Sequence, residues 1–452
     1  MQIHLIAIGG SAMHNLARAL HEAGHRVTGS DDEIFEPSKS RLAAYDLLPS
    51  NMGWDASRIH ADLDAVIVGM HAREDNPELL AAQEMGLSIY SYPEYLYEAS
   101  KEKTRVVVAG SHGKTTITSM ILHVLHYHDR DEDYMVGAQL EGFSTMVKMS
   151  EESTFMILEG DEYLSSPIDR RPKFHLYHPN ITVISGIAWD HINVFPTFEN
   201  YVEQFSKYLD GVEEGGMVIY NREDEVLANL VENHGGDYKM QSYGYPEYQV
   251  VDNQTYLDTE IGEVPLSIFG KHNLLNLEGA RLICQQMGIM DDDFYEAIQS
   301  FTGASKRLEL IAEKGGKAAY KDFAHAPSKV KATVTSTAEA KPNSKLVACL
   351  ELHTFSSLNP EFLPQYNGAL ADADVAIVYF NHEAVAHKKL PDLSIESVAK
   401  AFGEGVEVYD DVETVWKRLS EESSDPSTLL LMSSGNFHGQ SLDEWGKNWV
   451  EL

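Results

Sequence analysis

The chain has 452 residues, 43% of them apolar and 10% aromatic, which is enough for two or three packed domains and excludes a disordered chain. Its 35 basic residues against 70 acidic ones give a formal charge of -35, which excludes general binding to nucleic acid but not a local cationic pocket for a phosphate. Cys284 and Cys349 are the only cysteines, so a disulfide framework or four-cysteine zinc site is excluded, and no apolar run reaches the ~18 residues of a membrane helix. A cytoplasmic protein without membrane insertion is expected.

Short apolar runs alternate with helical stretches along the chain, which predicts an α/β fold with mostly parallel sheets. The first hundred residues read as strand 3–8, a glycine turn, helix 13–23, strand 25–30, strand 64–69, helix 76–85 and strand 87–91. A charged hinge at 101–104 leads into a second start: strand 105–109, a turn at 110–114, and a helix from Thr115. Strands follow near 154–159, 181–187 and 217–220, then an alternating antiparallel excursion at 248–269 and helices at 273–288 and 291–300. After a linker at 302–305, strands at 317–323, 346–351, 374–380, 406–409 and 428–432 restart the rhythm. Three domains are expected, at 1–100, 101–303 and 304–452.

The turn Gly110-Ser111-His112-Gly113-Lys114-Thr115-Thr116 lies between a buried strand and a helix. That context aims backbone N–H groups and a helix N-terminus at an anion, and glycines let the backbone approach phosphates closely. Lys114 would reach the terminal phosphates of ATP, and the Thr115 hydroxyl would hold Mg2+. Phosphoryl transfer also needs metal ligands at neighbouring strand ends. Glu159-Gly160-Asp161-Glu162 ends one such strand, and Asp190-His191 follows another. Around the phosphates a local island of positive charge is expected.

These motifs resemble the Mur ligase family, whose phosphate loop, acidic strand end, Asp-His pair and Gly-x-His-Asn-x-x-Asn turn all recur here in order. They occupy 110–116, 159–162, 190–191 and Gly270-Lys271-His272-Asn273-Leu274-Leu275-Asn276. The likeness extends through Arg307 and the segment Tyr320-Lys321-Asp322-Phe323-Ala324-His325-Ala326-Pro327. It implies a Rossmann-like N-terminal domain for a UDP-sugar, a P-loop ATPase-like central domain, and a Rossmann-like C-terminal domain for the amine. It also implies ATP-driven amide formation through an acyl phosphate.

In that reading Lys114, Glu159 and His191 carry the chemistry, and Thr115, Glu159 and His191 hold metal. Residues 110–116, with Asn273, Asn276, Arg307 and Asp322, contact ATP. Gly9, Gly10, Ser11, Asp31 and His71 contact UDP, and His325, His353, Ser434 and Asn436 face the amine.

Phe205 falls where the later-acting ligases carry a carbamylated lysine, which points to enzymes acting on the lactyl carboxylate of UDP-N-acetylmuramate. Among these the chain is nearer the murein peptide ligases, which add a tripeptide, L-Ala-γ-D-Glu-meso-diaminopimelate. The likeness rests on Met1 to Leu5, Asp169 to Tyr177 and Leu431 to Gly439, whereas His353 is closer to the L-alanine-adding enzymes. L-Alanine is therefore the alternative amine, and a nucleotide-dependent regulatory module the alternative outside the enzyme class. A monomer or weak homodimer is expected.

Overall fold

The structure, a computed structural model, describes residues 1–140, 142–251, 254–304 and 308–452; Arg307 lies outside the described residues. The chain forms two compact units. The first comprises Met1–Ile187, Val202–Tyr243 and Gly279–Met290; the second comprises Ala188–Tyr201, Gly244–Glu278 and Asp291–Leu452.

The first unit holds two sheets. Arg26–Ser30, Gln2–Ile6, Ala65–Val68 and Ile89–Ser91 lie side by side in that order, all parallel. Ala65, Val66, Ile67 and Val68 are all buried, the unbroken apolar run expected of a strand covered on both faces. The helix Ser11–Glu22 follows the glycine turn, and Asn15 in it accepts hydrogen bonds from Thr145 Oγ1 (3.2 Å) and Met146 N (3.1 Å).

The second sheet of this unit has seven strands, in the order Tyr238–Tyr243, Gly216–Asn221, Ile181–Ile184, Thr104–Ala109, Phe155–Gly160, Asp133–Met135 and Val147–Lys148; only the last pair is antiparallel. The parallel pairing sets Val108 beside Glu159 and Ala109 beside both Gly160 and Ile184. This register brings the turn after Ala109 and the acidic strand end to the same edge of the sheet. Helix Lys114–Tyr127 starts directly after that turn, with Gly113 as its N-cap in the left-handed region (φ 71°).

The second unit contains an antiparallel three-stranded sheet (Tyr248–Val251, Gln254–Thr259, Gly262–Leu266), one strand more than the two alternating runs predicted. Its six-stranded sheet runs Glu309–Lys314, Lys317–Asp322, Ser427–Met432, Lys345–Leu352, Val375–Phe380, Val406–Tyr409. Glu309–Lys314, absent from the sequence prediction, is the antiparallel edge strand. One face packs a core that includes Val330, Val334, Leu350, Phe362, Tyr366 and Phe380, against which Trp189 and Ile192 also lie. Among the described residues no helix is long and apolar enough to cross a membrane.

Candidate active site

At the end of strand Thr104–Ala109 the chain turns within a few residues. Gly110 has φ 122°, and a Cβ there would sit 2.2 Å from Ser185 Oγ, so only glycine fits. Ser111 N donates to Gly186 O (2.9 Å), and Ser185 Oγ donates to His112 O, tying the turn to the neighbouring strand end. Ser111, Thr115 and Thr116 are buried.

Lys114 Nζ donates to Gly110 O and to Glu162 Oε2, both at 2.6 Å. Burial opposes the charge on this ammonium, but Glu162, Asp161 and Glu159 outweigh it and hold its pKa above the usual lysine range. Thr115 Oγ1 donates to Glu159 Oε1 (2.9 Å), and Gly137 N donates to the other oxygen, Oε2 (2.7 Å). Burial works against the Asp161 carboxylate too, yet Lys173, with Nζ at 2.5 Å, and Lys114 keep its pKa below normal.

Among the described residues at this strand end the island of positive charge expected around the loop is not seen. Glu159, Asp161 and Glu162 outnumber Lys114 and Lys173 by three to two. An anionic triphosphate brought to such a place needs divalent cations. The donor set fits them, because a threonine hydroxyl and carboxylate oxygens are the hard ligands that Mg2+ takes. Lys173 is a member that the sequence reading missed; its signal was only a lysine in an Arg-Pro-Lys turn.

The second unit carries the other candidates for this chemistry. Asp190 is buried; its Oδ1 accepts from His191 N (2.7 Å) and its Oδ2 lies 3.6 Å from Lys329 Nζ. Burial opposes the Asp190 charge, but Lys329, His191 and His325 depress its pKa far below the carboxylate range. Asn273 lies in the first turn of helix Lys271–Gln286 and donates to Phe269 O (2.9 Å), and Asn276 is buried in the same helix. Asp322 accepts from Leu308 N and Ala324 N, each at 2.5 Å, so both its oxygens hold the local turn. His325 Nδ1 bonds Phe323 O (2.9 Å), and its carbonyl accepts from Tyr366 OH.

On the six-stranded sheet, Glu351 ends the strand Lys345–Leu352 and is buried. Its Oε2 accepts from Ser433 Oγ and from Phe437 N (2.9 Å), closing the 433–437 turn over the strand end. His353 Nδ1 stands 3.9 Å from Glu351 Oε1, and a Cβ on Gly435 would meet His353 at 2.6 Å. Burial lowers the His353 pKa, while Glu351 opposes that shift. Ser434 Oγ is buried without a hydrogen-bond partner among the described residues, and Asn436 Oδ1 accepts from Gly439 N (3.0 Å). His353 thus stands beside the 433–437 turn that carries Ser434 and Asn436. Glu351, which organises it, was not singled out from sequence because a glutamate at a strand end usually reads as solvated.

In the first sheet Gly9 N donates to Asp31 Oδ2 (2.7 Å), and a Cβ on Gly9 would lie 2.8 Å from that oxygen. Gly10 caps the helix that Ser11 begins. His71 lines a cleft of about 380 Å³ with Asp32, Trp54, Arg73 and Asn76. Burial pushes the Asp31 carboxyl up to about 6, against the pull of the Gly9 N–H. A carboxyl raised in this way keeps its proton in the fold between its unfolded value of ~4 and about 6, so its contribution to stability is lost as pH rises through that window. Wild type should therefore lose stability relative to Asp31→Asn between pH 4 and 7 in urea unfolding. A constant difference over that range would contradict the shift.

These sheets, with a phosphate-loop turn beside carboxylates on the adjacent strand, define an α/β protein whose site is built for the phosphates of a nucleotide. The chain matches the Mur ligase family catalytic domain over residues 2–104, the Mur ligase middle domain over 108–284, and the Mur ligase glutamate ligase domain over 306–435. It belongs to the Mur ligase family, ATP-dependent ligases that form amide bonds.

Among curated relatives it is 28% identical to the UDP-N-acetylmuramate–L-alanine ligase of Carboxydothermus hydrogenoformans, over 97% of this chain and 95% of that protein. It is 31% identical to the enzyme of the same name from Caldicellulosiruptor bescii, over 82% of each. A murein peptide ligase from Psychrobacter arcticus shares the fold with a TM-score of 0.66 at 21% identity, covering 100% of this chain and 98% of that one.

Proposed function

We propose that this chain joins L-alanine to the lactyl carboxylate of UDP-N-acetylmuramate, using ATP, in the cytoplasm. The observation that carries the ATP chemistry is the convergence of Lys114, Thr115, Glu159 and Glu162 on neighbouring strand ends of one sheet. In the first step two anions meet: the lactyl carboxylate attacks the γ-phosphorus, and ADP leaves. Lys114 offsets charge on the phosphates. Magnesium, when bound by Thr115, Glu159 and His191, would supply the remaining neutralisation.

The amine then attacks the acyl carbon, a C–N bond forms, and phosphate leaves with the oxygen it received from the carboxylate. The glycine-bearing turn of 110–116 and the helix N-terminus behind it orient the triphosphate, while Asn273, Asn276, Arg307 and Asp322 would complete the nucleotide site. The cleft beside His71, with Gly9, Gly10, Ser11 and Asp31, would receive the UDP end. His325, His353, Ser434 and Asn436 would face the amine.

For the amine, both curated relatives described above are L-alanine ligases along most of their length, and His353 agrees with them. This favours L-alanine over the tripeptide expected from sequence. The tripeptide keeps a place because the segments Asp169 to Tyr177 and Leu431 to Gly439 resemble the peptide-adding enzymes. The deciding experiment is phosphate release with UDP-N-acetylmuramate, ATP and either amine in parallel. Turnover with L-alanine at least tenfold above that with the tripeptide is expected. The reverse order would replace the amine, and release without any amine or sugar nucleotide would remove the ligase reading.

A further inference from the structure

Lys329 lies in the first turn of the helix Pro327–Ala340, and the sequence gives it no task. In the structure its ammonium stands 3.6 Å from Asp190 Oδ2, on a carboxylate side chain only 6% exposed. That oxygen accepts no hydrogen bond among the described residues, and the Lys329 ammonium is the lysine charge that faces it. The other oxygen takes the main-chain N–H of His191.

His191 itself is left-handed (φ 55°), a conformation that a residue with a Cβ adopts only when its surroundings impose it. Its carbonyl accepts from Val194 N (2.8 Å) and Phe195 N (2.9 Å), and Trp189 Nε1 donates to Phe195 O (2.9 Å). Trp189 also meets Phe362 edge-on at 5.7 Å. The whole segment Ala188–Tyr201 therefore belongs to the unit of the six-stranded sheet, although it follows strand Ile181–Ile184 of the seven-stranded one.

We infer that Lys329 is a positioning residue: by neutralising buried Asp190 it holds His191 in its left-handed turn and fixes the Asp-His loop to the sheet that carries the helix Pro327–Ala340. The part that His191 then plays in catalysis rests on the function proposed above; the coupling of Lys329 to the loop does not. A lysine lost from this place leaves a carboxylate buried without its cation, and the loop relaxes to hydrate it. An arginine keeps the charge. Neutralising both partners removes the conflict.

The test uses full-length protein with Lys329→Met, Lys329→Arg, Asp190→Asn and the double variant Asp190→Asn/Lys329→Met. Two readouts are taken, amide hydrogen exchange over residues 188–195 and steady-state kinetics. In Lys329→Met, exchange of the His191, Val194 and Phe195 amides should accelerate at least tenfold. Its kcat should fall at least tenfold while KM for each substrate stays within twofold. Lys329→Arg should recover both, and the double variant should be no worse than Lys329→Met.

Unchanged exchange in Lys329→Met would overturn the inference whatever the kinetics show. Equal damage from the Met and Arg variants would overturn it as well, and so would independent, additive effects at the two positions. If Lys329→Met does not fold, the Arg and double variants carry the same comparison. A wild-type protein inactive with every amine would remove the functional reading but leave the exchange result to decide this one.

Discussion

Lys114→Met is expected to lower kcat by about 10³-fold, the scale seen when one preorganised charge donor is removed from a site where negative charge develops. The reason is visible in how the ammonium is held. Two 2.6 Å hydrogen bonds, to Gly110 O and Glu162, fix it at the mouth of the turn, and the surrounding carboxylates keep it protonated.

The same substitution also lowers the stability of the fold. Glu162 is 2% exposed, and without Lys114 its charge stays beside Glu159 and Asp161 while the ammonium bonded to it is gone. Breaking one side of such a pair costs about 3–5 kcal/mol, measured here by denaturant unfolding in metal-free buffer. Lys114→Met/Glu162→Gln separates the two effects, since it should regain most of the stability and none of the activity. If the double variant recovers turnover, the lysine is structural and its place in phosphoryl transfer is lost.

Arg105→Ala should be the most damaging single change to stability away from the site, by about 3–5 kcal/mol. The side chain is 4% exposed and acts as a clasp. Its Nε donates to the carbonyls of Tyr177 and His178 (2.9 Å each), and its Nη1 reaches those of Ser100, Lys101 and Lys103. Its Nη2 meets Glu213 at 2.6 Å, and the guanidinium lies 5.1 Å from the centre of the Tyr97 ring. Removing it strands several carbonyls in the interior at the segment joining helix Tyr92–Ala99 to strand Thr104–Ala109. Arg105→Lys should recover little, because an ammonium cannot reproduce the planar fork. A loss under about 1 kcal/mol in Arg105→Ala would show that water replaces these bonds, and the clasp would then be incidental.

The contrast between Lys114 and Arg105 shows what the sequence could tell. Lys114 stood in a Gly-Lys-Thr turn between a β-branched run and a helix, and each of those local signals survives in the fold. Arg105 followed a charged stretch read as a hinge, and nothing nearby in sequence announces partners at 177, 178 and 213. Long-range polar burial has no period to reveal it. Glu78 is a similar case. It reads as an ordinary first-turn acid of the helix Pro77–Glu84, yet it is completely buried and bonded to His4, Ser30, Arg58 and the Asp55 N–H.

Parallel strands such as Ile181–Ile184 and Val375–Phe380 were legible because burial on both faces demands continuous apolar residues. The edge strands were not: Tyr238–Tyr243 is mostly half-buried or exposed, and Glu309–Lys314 carries an exposed Leu310 and a register shift that breaks its alternation. The expected positive island is not seen among the described residues at the loop, for a different reason. Composition counts charges without saying where they meet, and here the acidic excess extends into the strand end itself.

Transfer of oxygen from the sugar acid to phosphate reports most directly on the activation step. UDP-N-acetylmuramate labelled with 18O in both lactyl carboxylate oxygens would be turned over with ATP and L-alanine, and the released phosphate analysed by mass. Attack of that carboxylate on the γ-phosphorus predicts one labelled oxygen in every phosphate, with the other retained in the amide. Phosphate carrying no label would mean that ATP is cleaved by water, and the acyl phosphate route would be contradicted.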